Sequence, residues 1–436
     1  MMSVVAQNTE GWVLDAGSLI DRGCSRCIRF KDHKQTSVSC HFKKQCFNVY
    51  KSYGSVNSSA AANGGNTDVL QKTDKLPKKR KRKNGDRNQG EVDSQAFHLK
   101  IRSVILDGTK ALVSAAQALG YLNGLTDPTE EPLPSQECNL AALCDMAKEL
   151  PLAEEQGEHS QPLTKGYGDT SHVDLFSLVT ENAKDQGSVV SLMGEEYIIP
   201  PNTAFLLSDF TRIRPLVDYG RRFDLIVMDP PWENKSVKRS RRQVKLYSFL
   251  PSTQLKRLPI PLLACPNCLV VTWVTNRSSH LRFICDELYP HWGVQVVAQW
   301  FWVKVTTSGQ FVFPLDSPHK KPYEVLVLGR YRCSPENTRS LETSEVPVED
   351  QRLIVSVPSA LHSQKPSLTD VLKPYVGSEP TCLELFARSL LPGWTSWGNE
   401  VLKFQHASYF TVTRTDDGDG STGILSSPED VGDARL

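Results

Sequence analysis

The length, composition and charge of the chain narrow the class of protein it can be. It has 436 residues, enough for two domains or for one domain with long extensions, and its 39% hydrophobic content predicts a packed core accompanied by disordered sequence. The 50 Lys and Arg residues balance 49 Asp and Glu residues, and neither an apolar run of about eighteen residues nor a secretory leader pattern occurs, so neither a membrane span nor secretion is expected.

Residues 1–91 are expected to be a disordered N-terminal region. Residues 54–65 are rich in Ser, Asn, Ala and Gly, and such a segment cannot bury enough apolar surface to offset its ordering entropy. Residues 75–83 (KLPKKRKRK) contain seven basic residues in nine. A compact basic block is typical of a nuclear import signal, so we expect the import machinery as a partner and the nucleus as the location. A nucleic-acid-binding tail and a solvated linker are the alternatives.

Residues 92–195 are predicted to be a small helical module. Between 97 and 122, apolar residues recur at spacings of three and four, which indicates an amphipathic helix with a break near Gly108. Residues 139–150 have the pattern of a second helix. The module contains no recognisable chemistry, so we expect it to pack against the rest of the chain or to support a substrate.

Residues 196–410 have the pattern of an α/β domain, followed by a disordered acidic tail at 411–436. Buried-strand patterns alternate with helical ones; the strands are predicted at 223–228, 268–274, 294–305 and 323–328, and the helices at 278–288 and 367–372. Such alternation predicts a mainly parallel sheet with helices on both faces. Ligands of these sheets bind at the carboxyl ends of the strands.

The most informative string is FDLIVMDPPWENK at residues 223–235. A hydrophobic strand is followed by Asp229, Pro230, Pro231 and Trp232. Proline cannot continue a central ladder, so the chain turns out of the sheet here and holds a carboxylate, a carbonyl and an indole at the strand's carboxyl end. An ordinary tight turn is the alternative.

These residue types suit methyl transfer to the exocyclic amine of adenine. The amine is a poor nucleophile because its lone pair is delocalised into the ring. Asp229 and the Pro230 carbonyl can accept hydrogen bonds from both amine protons, and Trp232 offers a face on which the base can stack, worth about 1–3 kcal/mol. The proton leaves only after the nitrogen becomes cationic, so a strong base is unnecessary.

Several strings in this order resemble the adenine-N6 methyltransferases, the MT-A70-like branch that includes the messenger-RNA adenosine methyltransferase. The resemblance covers residues 206–404 and is carried by the motif at 229–232 and by 269–277 (LVVTWVTNR), 300–304 (WFWVK), 319–328 (HKKPYEVLVL), 383–388 (LELFAR) and 392–400 (PGWTSWGNE). It implies a circularly permuted, Rossmann-like methyltransferase fold, with S-adenosyl-L-methionine as the methyl donor. No Gly-x-Gly turn accompanies 383–388, which departs from many methyltransferases.

The resemblance also implies which residues bind the donor. Asn399 and Glu400 correspond to contacts with its adenosine part and Arg388 to a ribose contact. Lys321 corresponds to a contact with the amino-acid end, and Asp209 to a contact with the adenine. Carboxylates and amides suit hydroxyls and ring nitrogens, and a basic residue suits the donor's carboxylate.

A basic stretch follows the motif directly. Six of the eleven residues from 235 to 245 are basic: Lys235, Lys238, Arg239, Arg241, Arg242 and Lys245. Beside a base pocket they suit contacts with nucleic-acid phosphates, with a solvated loop as the alternative. The resemblance favours RNA, in its finest form an internal 2′-O-methyladenosine of small nuclear RNA. A DNA substrate and a catalytically silent nucleic-acid-binding subunit are the competing interpretations, and nothing indicates an obligate protein partner.

The cysteines are the remaining candidates for a metal site. The 11 cysteines are odd in number and scattered, which is typical of reduced thiols in an intracellular protein. Cys24, Cys27, Cys40 and Cys46 with His33 and His41 could ligate zinc, as could Cys265 with Cys268. Tetrahedral zinc sites usually come from paired knuckles, and each of these sets has only one, so no metal is expected.

Overall fold

The computed structural model describes residues 3–31, 34–53, 89–124, 133, 139–150, 159–166, 168–232, 250–317, 320–332 and 346–415. The basic cluster at 75–83, the basic stretch at 235–245 and residues 416–436 of the predicted acidic tail lie outside this part of the chain. What the sequence predicts for them stays a prediction.

Strands and short helices alternate along the described residues. The strands are β1 (Val4–Asn8), β2 (Gly11–Leu14), β3 (Cys27–Lys31), β4 (Lys34–Phe42), β5 (Ser160–Pro162), β6 (Val179–Asn182), β7 (Gly187–Leu192), β8 (Glu195–Ile199), β9 (Thr203–Leu207), β10 (Phe223–Met228), β11 (Ala264–Val274), β12 (Val294–Lys304), β13 (Tyr323–Tyr331), β14 (Leu353–Ser356), β15 (Cys382–Leu385), β16 (Trp394–Gly398) and β17 (Phe410–Arg414). The α-helices are α1 (Ala16–Cys24), α2 (Gln89–Ala118), α3 (Leu140–Ala147), α4 (Arg214–Asp218), α5 (Ser252–Lys256), α6 (Ile260–Leu263), α7 (Ser278–Arg282), α8 (Tyr289–His291) and α9 (Thr369–Leu372), and a π-helical turn, Phe283–Leu288, joins α7 to α8.

A large, mostly parallel sheet organises the molecule, as the alternating pattern predicted. Its 12 strands lie in the order β1-β2-β14-β12-β13-β11-β10-β15-β16-β9-β6-β5. From β11 through β10, β15 and β16 to β9 every neighbouring pair is parallel, whereas β13 runs antiparallel to β11 and β12. Strand β10, which directly precedes the motif at 229–232, therefore lies beside β15, which follows it by about 150 residues in sequence. The circular permutation itself stays a prediction.

The strands at the centre are buried on both faces, which explains their almost continuous hydrophobic sequence. Along β10, Ile226 and Met228 pack into one apolar cluster, and Leu225 and Val227 pack into another on the opposite side. Side chains of a strand alternate between faces, so two separate cores are the expected result. Helix α2 packs against the first core, and α9 packs against the second.

Helix α2 runs unbroken through the predicted break at Gly108. This glycine faces the sheet, where an added Cβ would lie 2.6 Å from Leu353 Cδ1. Its role is therefore close packing, and the prediction of a break was wrong. Helix α3 confirms the predicted second helix, but residues 160–199 form β5 to β8, so residues 92–195 are not a helical module.

The N-terminal region is the largest correction to the sequence analysis. Residues 3–53 are folded: β1 and β2 extend the large sheet, and β3 and β4 join a 5-stranded sheet of order β17-β4-β3-β7-β8. At Gly11 an added Cβ would lie 1.9 Å from the Leu353 carbonyl oxygen, so β2 approaches β14 at a distance that only glycine permits. Disorder was predicted for the whole region from the composition of residues 54–65. Strands β1 to β4, which precede that segment, bury apolar side chains and are therefore ordered.

The predicted tail also begins later than expected. Residues 411–414 belong to β17, which pairs with β4 across more than 360 residues of sequence. Because β4 and β17 come from opposite ends of the chain, their pairing leaves no local signal in sequence. Among the described residues, no helix combines the length and apolarity needed to cross a bilayer.

Candidate active site

Four neighbouring parallel strands end at one edge of the sheet, and the predicted site residues follow them. Asp229 follows β10, Arg388 follows β15, Asn399 and Glu400 follow β16, and Asp209 follows β9. The carboxyl ends of parallel strands meet at the same edge, so the sheet brings together residues that are far apart in sequence.

Asp229 lies between two cations. Its Oδ2 accepts a hydrogen bond from Arg388 Nη1 at 3.0 Å and lies 3.7 Å from Lys365 Nζ. The Asp229 side chain is 14% exposed. A shielded carboxylate of this kind interacts more strongly with its partners than a fully solvated one.

The ion pairs continue on both sides of Asp229 as a row of alternating charges. On one side, Glu324 accepts from Lys365 Nζ at 2.6 Å and from Lys304 Nζ at 2.5 Å. Burial alone would raise the pKa of Glu324, but the charges of Lys365 and Lys304 outweigh it and lower that pKa to about 2. The ion-paired carboxylate therefore holds Lys365 beside Asp229.

The other side of the row runs through Glu400 to Lys403. This carboxylate accepts from Arg388 Nε at 3.3 Å and from Lys403 Nζ at 2.9 Å. Arg388 thus bridges Asp229 and Glu400, which joins the ends of β10, β15 and β16 in one network.

A second carboxyl group, Glu384, has a different environment. Burial and the nearby charge of Asp229 raise its pKa to about 8, against the opposing effect of Arg388. At neutral pH this group is mainly protonated, so it can donate a hydrogen bond as well as accept one. Glu384 lies on β15, within the string at 383–388 that carries the family resemblance. Nothing in its local sequence indicated that its environment differs from that of other acids.

The turn after β15 packs directly on the end of β16. At Gly398 an added Cβ would lie 2.7 Å from the Ala387 carbonyl oxygen, and Ala387 N donates to the Trp397 carbonyl at 3.0 Å. Phe386 has a φ of 62°, which costs about 1–3 kcal/mol for a residue other than glycine. Arg388 follows this strained turn by two residues and reaches Asp229.

Trp232 is fixed on two sides. Its indole Nε1 donates to the Trp273 carbonyl at 2.9 Å, and its ring stacks on His280 at a centroid distance of 4.8 Å and an angle of 21°. His280 is held in turn by Thr275 Oγ1 at 2.6 Å. The contacts with Trp273 and His280 therefore fix the position of the indole. The stacking partner His280 lies in α7. The sequence did not identify it as a candidate site residue.

The proline turn is closed by a contact from beyond the basic stretch. Leu250 N donates to the Pro231 carbonyl at 3.1 Å, and Pro230 is buried. The motif is thus anchored on both sides of the segment at 233–249, whose residues lie outside the described part of the chain.

Asp209 and Asn399 follow β9 and β16, the two strands beyond β15 in the sheet. Asp209 accepts from Thr211 N and Oγ1 at 2.9 and 2.6 Å, and the Asn399 carbonyl accepts from Cys144 Sγ at 3.6 Å. Burial raises the pKa of Cys144 to about 12, and the charges of Asp209 and Glu400 contribute in the same direction. The structure therefore groups Asp209, Asn399 and Glu400 around Cys144.

Lys321 is the one predicted donor contact that does not join this group. Its Nζ donates to the Leu315 carbonyl at 3.4 Å, and burial lowers its pKa against the effect of Asp316. The lysine at Asp229 is Lys365. Both lysines precede a proline, so a Lys-Pro dipeptide could not show which of the two lies at the site. The fold places Lys365, and not Lys321, at the strand ends.

A pocket beside the network is lined by charged side chains whose chemistry suits S-adenosylmethionine. Asp229, Lys365, Glu384 and Arg388 line it together with apolar side chains such as Phe386. Cations suit the carboxylate of the donor, and carboxyl groups suit its ammonium and hydroxyls.

Gln364 adds an independent reason to expect a polar ligand. It lines the same pocket and is only 7% exposed, yet neither Nε2 nor Oε1 has a hydrogen-bond partner among the described residues. A buried amide without partners costs about 1–3 kcal/mol, so its presence here fits a group that a ligand satisfies.

The structure gives no support to the zinc candidates in the described part of the chain. Cys24, Cys27, Cys40 and Cys46 are buried thiols, and no group of three or more His, Cys, Asp or Glu side chains there is placed to hold a metal. Burial raises the pKa of Cys24, and the hydrogen bond with Cys27 followed by burial raises that of Cys40. His33 lies outside the described residues.

Comparisons with known proteins assign the chain to a family. A family model described as MT-A70 matches residues 223–400. The N(6)-adenine-specific methyltransferase METTL4 of Homo sapiens is 51% identical over 337 residues, which is 75% of this chain and 70% of that protein. The chain belongs to the MT-A70 family. The resemblance inferred from the motif strings is thereby confirmed, and the MT-A70 match includes Asp229, Arg388 and Glu400, whereas Asp209 precedes it.

The names of two further relatives of this MT-A70 protein specify different nucleic acids as the substrate. The N6-methyladenosine RNA methyltransferase MTA1 of Pyricularia oryzae is 34% identical over 225 residues, covering 50% of this chain and 58% of that protein. The DNA N6-methyl methyltransferase of Caenorhabditis elegans is 35% identical over 230 residues, covering 52% of this chain and 58% of that protein. Similarity alone therefore does not separate RNA from DNA.

Proposed function

We propose that this chain is an S-adenosylmethionine-dependent N6-adenine methyltransferase that acts on nucleic acid, with RNA as its substrate. The observation that carries the proposal is the position of Asp229 at the end of β10, between Lys365 and Arg388 and beside the fixed indole of Trp232. The activity agrees with membership of the MT-A70 family.

The residues around Asp229 explain how an adenine amine could be held. Both cations approach Asp229 through Oδ2, so we assign Oδ1 and the Pro230 carbonyl to the two amine protons. Trp232 would stack on the base, and its contacts with Trp273 and His280 fix the ring before the base arrives. The bound donor supplies an electrophilic methyl group on a sulfonium. The protein's contribution is mainly positioning, with Arg388 and Lys365 fixing the orientation of the carboxylate.

The remaining polar groups would hold the donor itself. Lys365 and Gln364 suit its amino-acid end, and Arg388, Asn399 and Glu400 suit its adenosine part, with Asp209 near the adenine. Lys365 takes the role that the resemblance assigned to Lys321, because it is the lysine that reaches the pocket. Methyl transfer from a sulfonium needs no metal, so none is included in the proposal.

Replacing Gln364 by Leu tests the donor assignment. The change removes a buried amide without partners, so the melting temperature should rise or stay constant. Affinity for S-adenosylhomocysteine, measured by calorimetry, should fall about tenfold because the ligand loses a polar partner. Unchanged affinity with raised stability would remove Gln364 from the donor site. Gln186→Leu, on the β6–β7 turn, is a control expected to leave affinity unchanged.

RNA is proposed as the substrate because of the family resemblance. The most specific substrate that the resemblance implies is an internal 2′-O-methyladenosine in small nuclear RNA. The basic residues at 235–245, between the catalytic turn and Leu250, are assigned to phosphate contacts.

The basic cluster at 75–83 is assigned to nuclear import. Neutralising it should move a tagged protein out of the nucleus, and unchanged nuclear localisation would contradict this assignment.

Matched substrates test the proposed function. Purified protein and labelled donor would be incubated with oligonucleotides of one sequence as RNA, as RNA with one internal 2′-O-methyladenosine, and as single-stranded DNA. The modified nucleoside would be identified by mass spectrometry. We expect N6-methylation with the order 2′-O-methylated RNA, RNA, DNA. Faster modification of DNA would overturn the RNA assignment, and no adenine modification on any substrate would overturn the function.

A further inference from the structure

The loop that carries Lys365 is tied to the N-terminal segment at two points. This loop, residues 357–368, joins β14 to α9 and crosses the pocket beside Asp229. On one side of Lys365, Ala360 N donates to the Cys46 carbonyl at 2.7 Å. On the other side, Asp370 accepts from groups of residues 3–22. Lys365 lies midway between Ala360 and Asp370.

The second tie is built from three donors on one carboxylate. Asp370 Oδ2 accepts from Ser3 N at 2.8 Å, from Ser3 Oγ at 2.7 Å and from Arg22 Nη2 at 2.8 Å. Arg22 is 41% exposed and Asp370 is 16% exposed at the side chain, so the ion pair is partly shielded from water. Although burial alone would raise it, the pKa of Asp370 is lowered by its hydrogen bonds with Arg22 and Ser3.

The N-terminal segment also forms one wall of the pocket. Ala16 and Ile20 of α1, together with Phe47, line it along with residues of the loop. Helix α1 packs closely on the catalytic half of the sheet: a Cβ added at Gly23 would lie 2.5 Å from Pro392 Cγ. Residues that the sequence analysis expected to be disordered thus complete the pocket.

We propose that Arg22 is a positioning residue for methyl-donor binding: through its ion pair with Asp370, the N-terminal segment holds the 357–368 loop so that Lys365 lies between Glu324 and Asp229. A loop fixed at both ends samples fewer conformations, so less entropy is lost when Lys365 is ordered against a ligand. Arg22 touches neither reacting group and acts through the loop. The inference rests on the proposed function of the pocket.

Three variants of the full chain test this inference. Arg22→Ala removes the charged donor of the second tie and leaves the two Ser3 hydrogen bonds. Arg22→Lys keeps the charge, and Arg29→Ala is the matched control. Arg29 of β3 pairs with Glu196 of β8 at 2.7 Å, so this ion pair of the same N-terminal segment lies within the 5-stranded sheet and does not involve the loop. Hydrogen exchange measured by mass spectrometry reports on residues 357–370, and steady-state kinetics separate the KM for the donor from kcat.

In Arg22→Ala we expect exchange in residues 357–370 to rise about three- to fivefold, and the KM for the donor to rise by a similar factor with kcat nearly unchanged. Arg22→Lys should recover most of both effects, and Arg29→Ala should show neither. Equal exchange in the loop for wild type and Arg22→Ala, or equal changes in KM for Arg22→Ala and Arg29→Ala, would overturn the proposal. A wild-type protein that neither binds S-adenosylhomocysteine nor methylates adenine would refute the proposed function instead, while the exchange data would still test the tie.

Discussion

Glu384 is a protonated acid beside a row of ion pairs, and its environment has a consequence for stability. Its pKa is raised from 4.5 to about 8 by burial first and by Asp229 second. Between those two values the unfolded chain has released this proton while the folded chain retains it. The contribution of Glu384 to stability is therefore greatest below its unfolded pKa and falls as pH rises through its folded pKa.

Glu384→Gln should consequently flatten the pH dependence of stability. The amide has the shape of the neutral acid and cannot ionise, so the free energy of unfolding should decline less between about pH 5 and about pH 8 than in wild type. Thermal or urea unfolding across this range measures the effect. Glu287→Gln, a change at an exposed acid, provides the control. A variant whose stability falls with pH as steeply as that of wild type would show that Glu384 is ionised throughout.

At the scale of elements, helix α7 supports the target-base side of the site. It carries His280 under the ring of Trp232, and its first residue, Ser278, donates Oγ to the Gly90 carbonyl of α2 at 3.4 Å. Arg282 at its end pairs with Asp93 of α2 at 3.0 Å. Helix α2, to which the sequence assigned no function, thus supports the position of the Trp232 indole through α7.

Removing the stacked ring from α7 should impair the site without changing donor binding. In His280→Ala we expect the KM for RNA to rise roughly three- to tenfold, because an aromatic pair contributes about 0.5–1.5 kcal/mol beyond its buried area. His280→Phe should retain most of the activity because it keeps a ring under Trp232. His291→Ala, in the following helix, is the control. If His280→Ala and His291→Ala have the same KM for RNA, the stack does not order the base site.

The sequence predicted some elements to the residue and missed others for physical reasons. The strand at 223–228 was predicted with its true bounds, because its apolar residues are followed, after Asp229, by two prolines. Residues 3–53 were missed because their strands β2, β3 and β4 pair with β14, β7 and β17, which lie far away in the chain. Asp229 and Arg388 could be predicted from motif strings, whereas Lys365 owes its position to loop placement that spacing does not encode.

At the scale of the whole molecule, the proposed function assigns donor binding to the row of charges at the strand ends and nucleic-acid binding to the basic residues at 235–245. Replacing Lys238, Arg239, Arg241 and Arg242 by Gln should weaken RNA binding and flatten its dependence on salt, by about 0.7 in slope for each lost phosphate contact. Binding isotherms at several salt concentrations measure this change. Affinity for S-adenosylhomocysteine should stay constant. Equal salt slopes in wild type and variant would assign the stretch to a solvated loop.

The central claim is that Asp229 holds the reacting amine at the ends of the parallel strands. Its most direct test is single-turnover methyl transfer to adenosine N6 by wild type, Asp229→Asn and Asp229→Ala, with S-adenosylhomocysteine affinity and melting temperature measured on the same samples. We predict that both variants stay folded and lose about 10²-fold or more of the rate, because an acceptor at the reacting nitrogen is lost. Transfer at near wild-type rate by a folded Asp229→Ala protein would contradict the account.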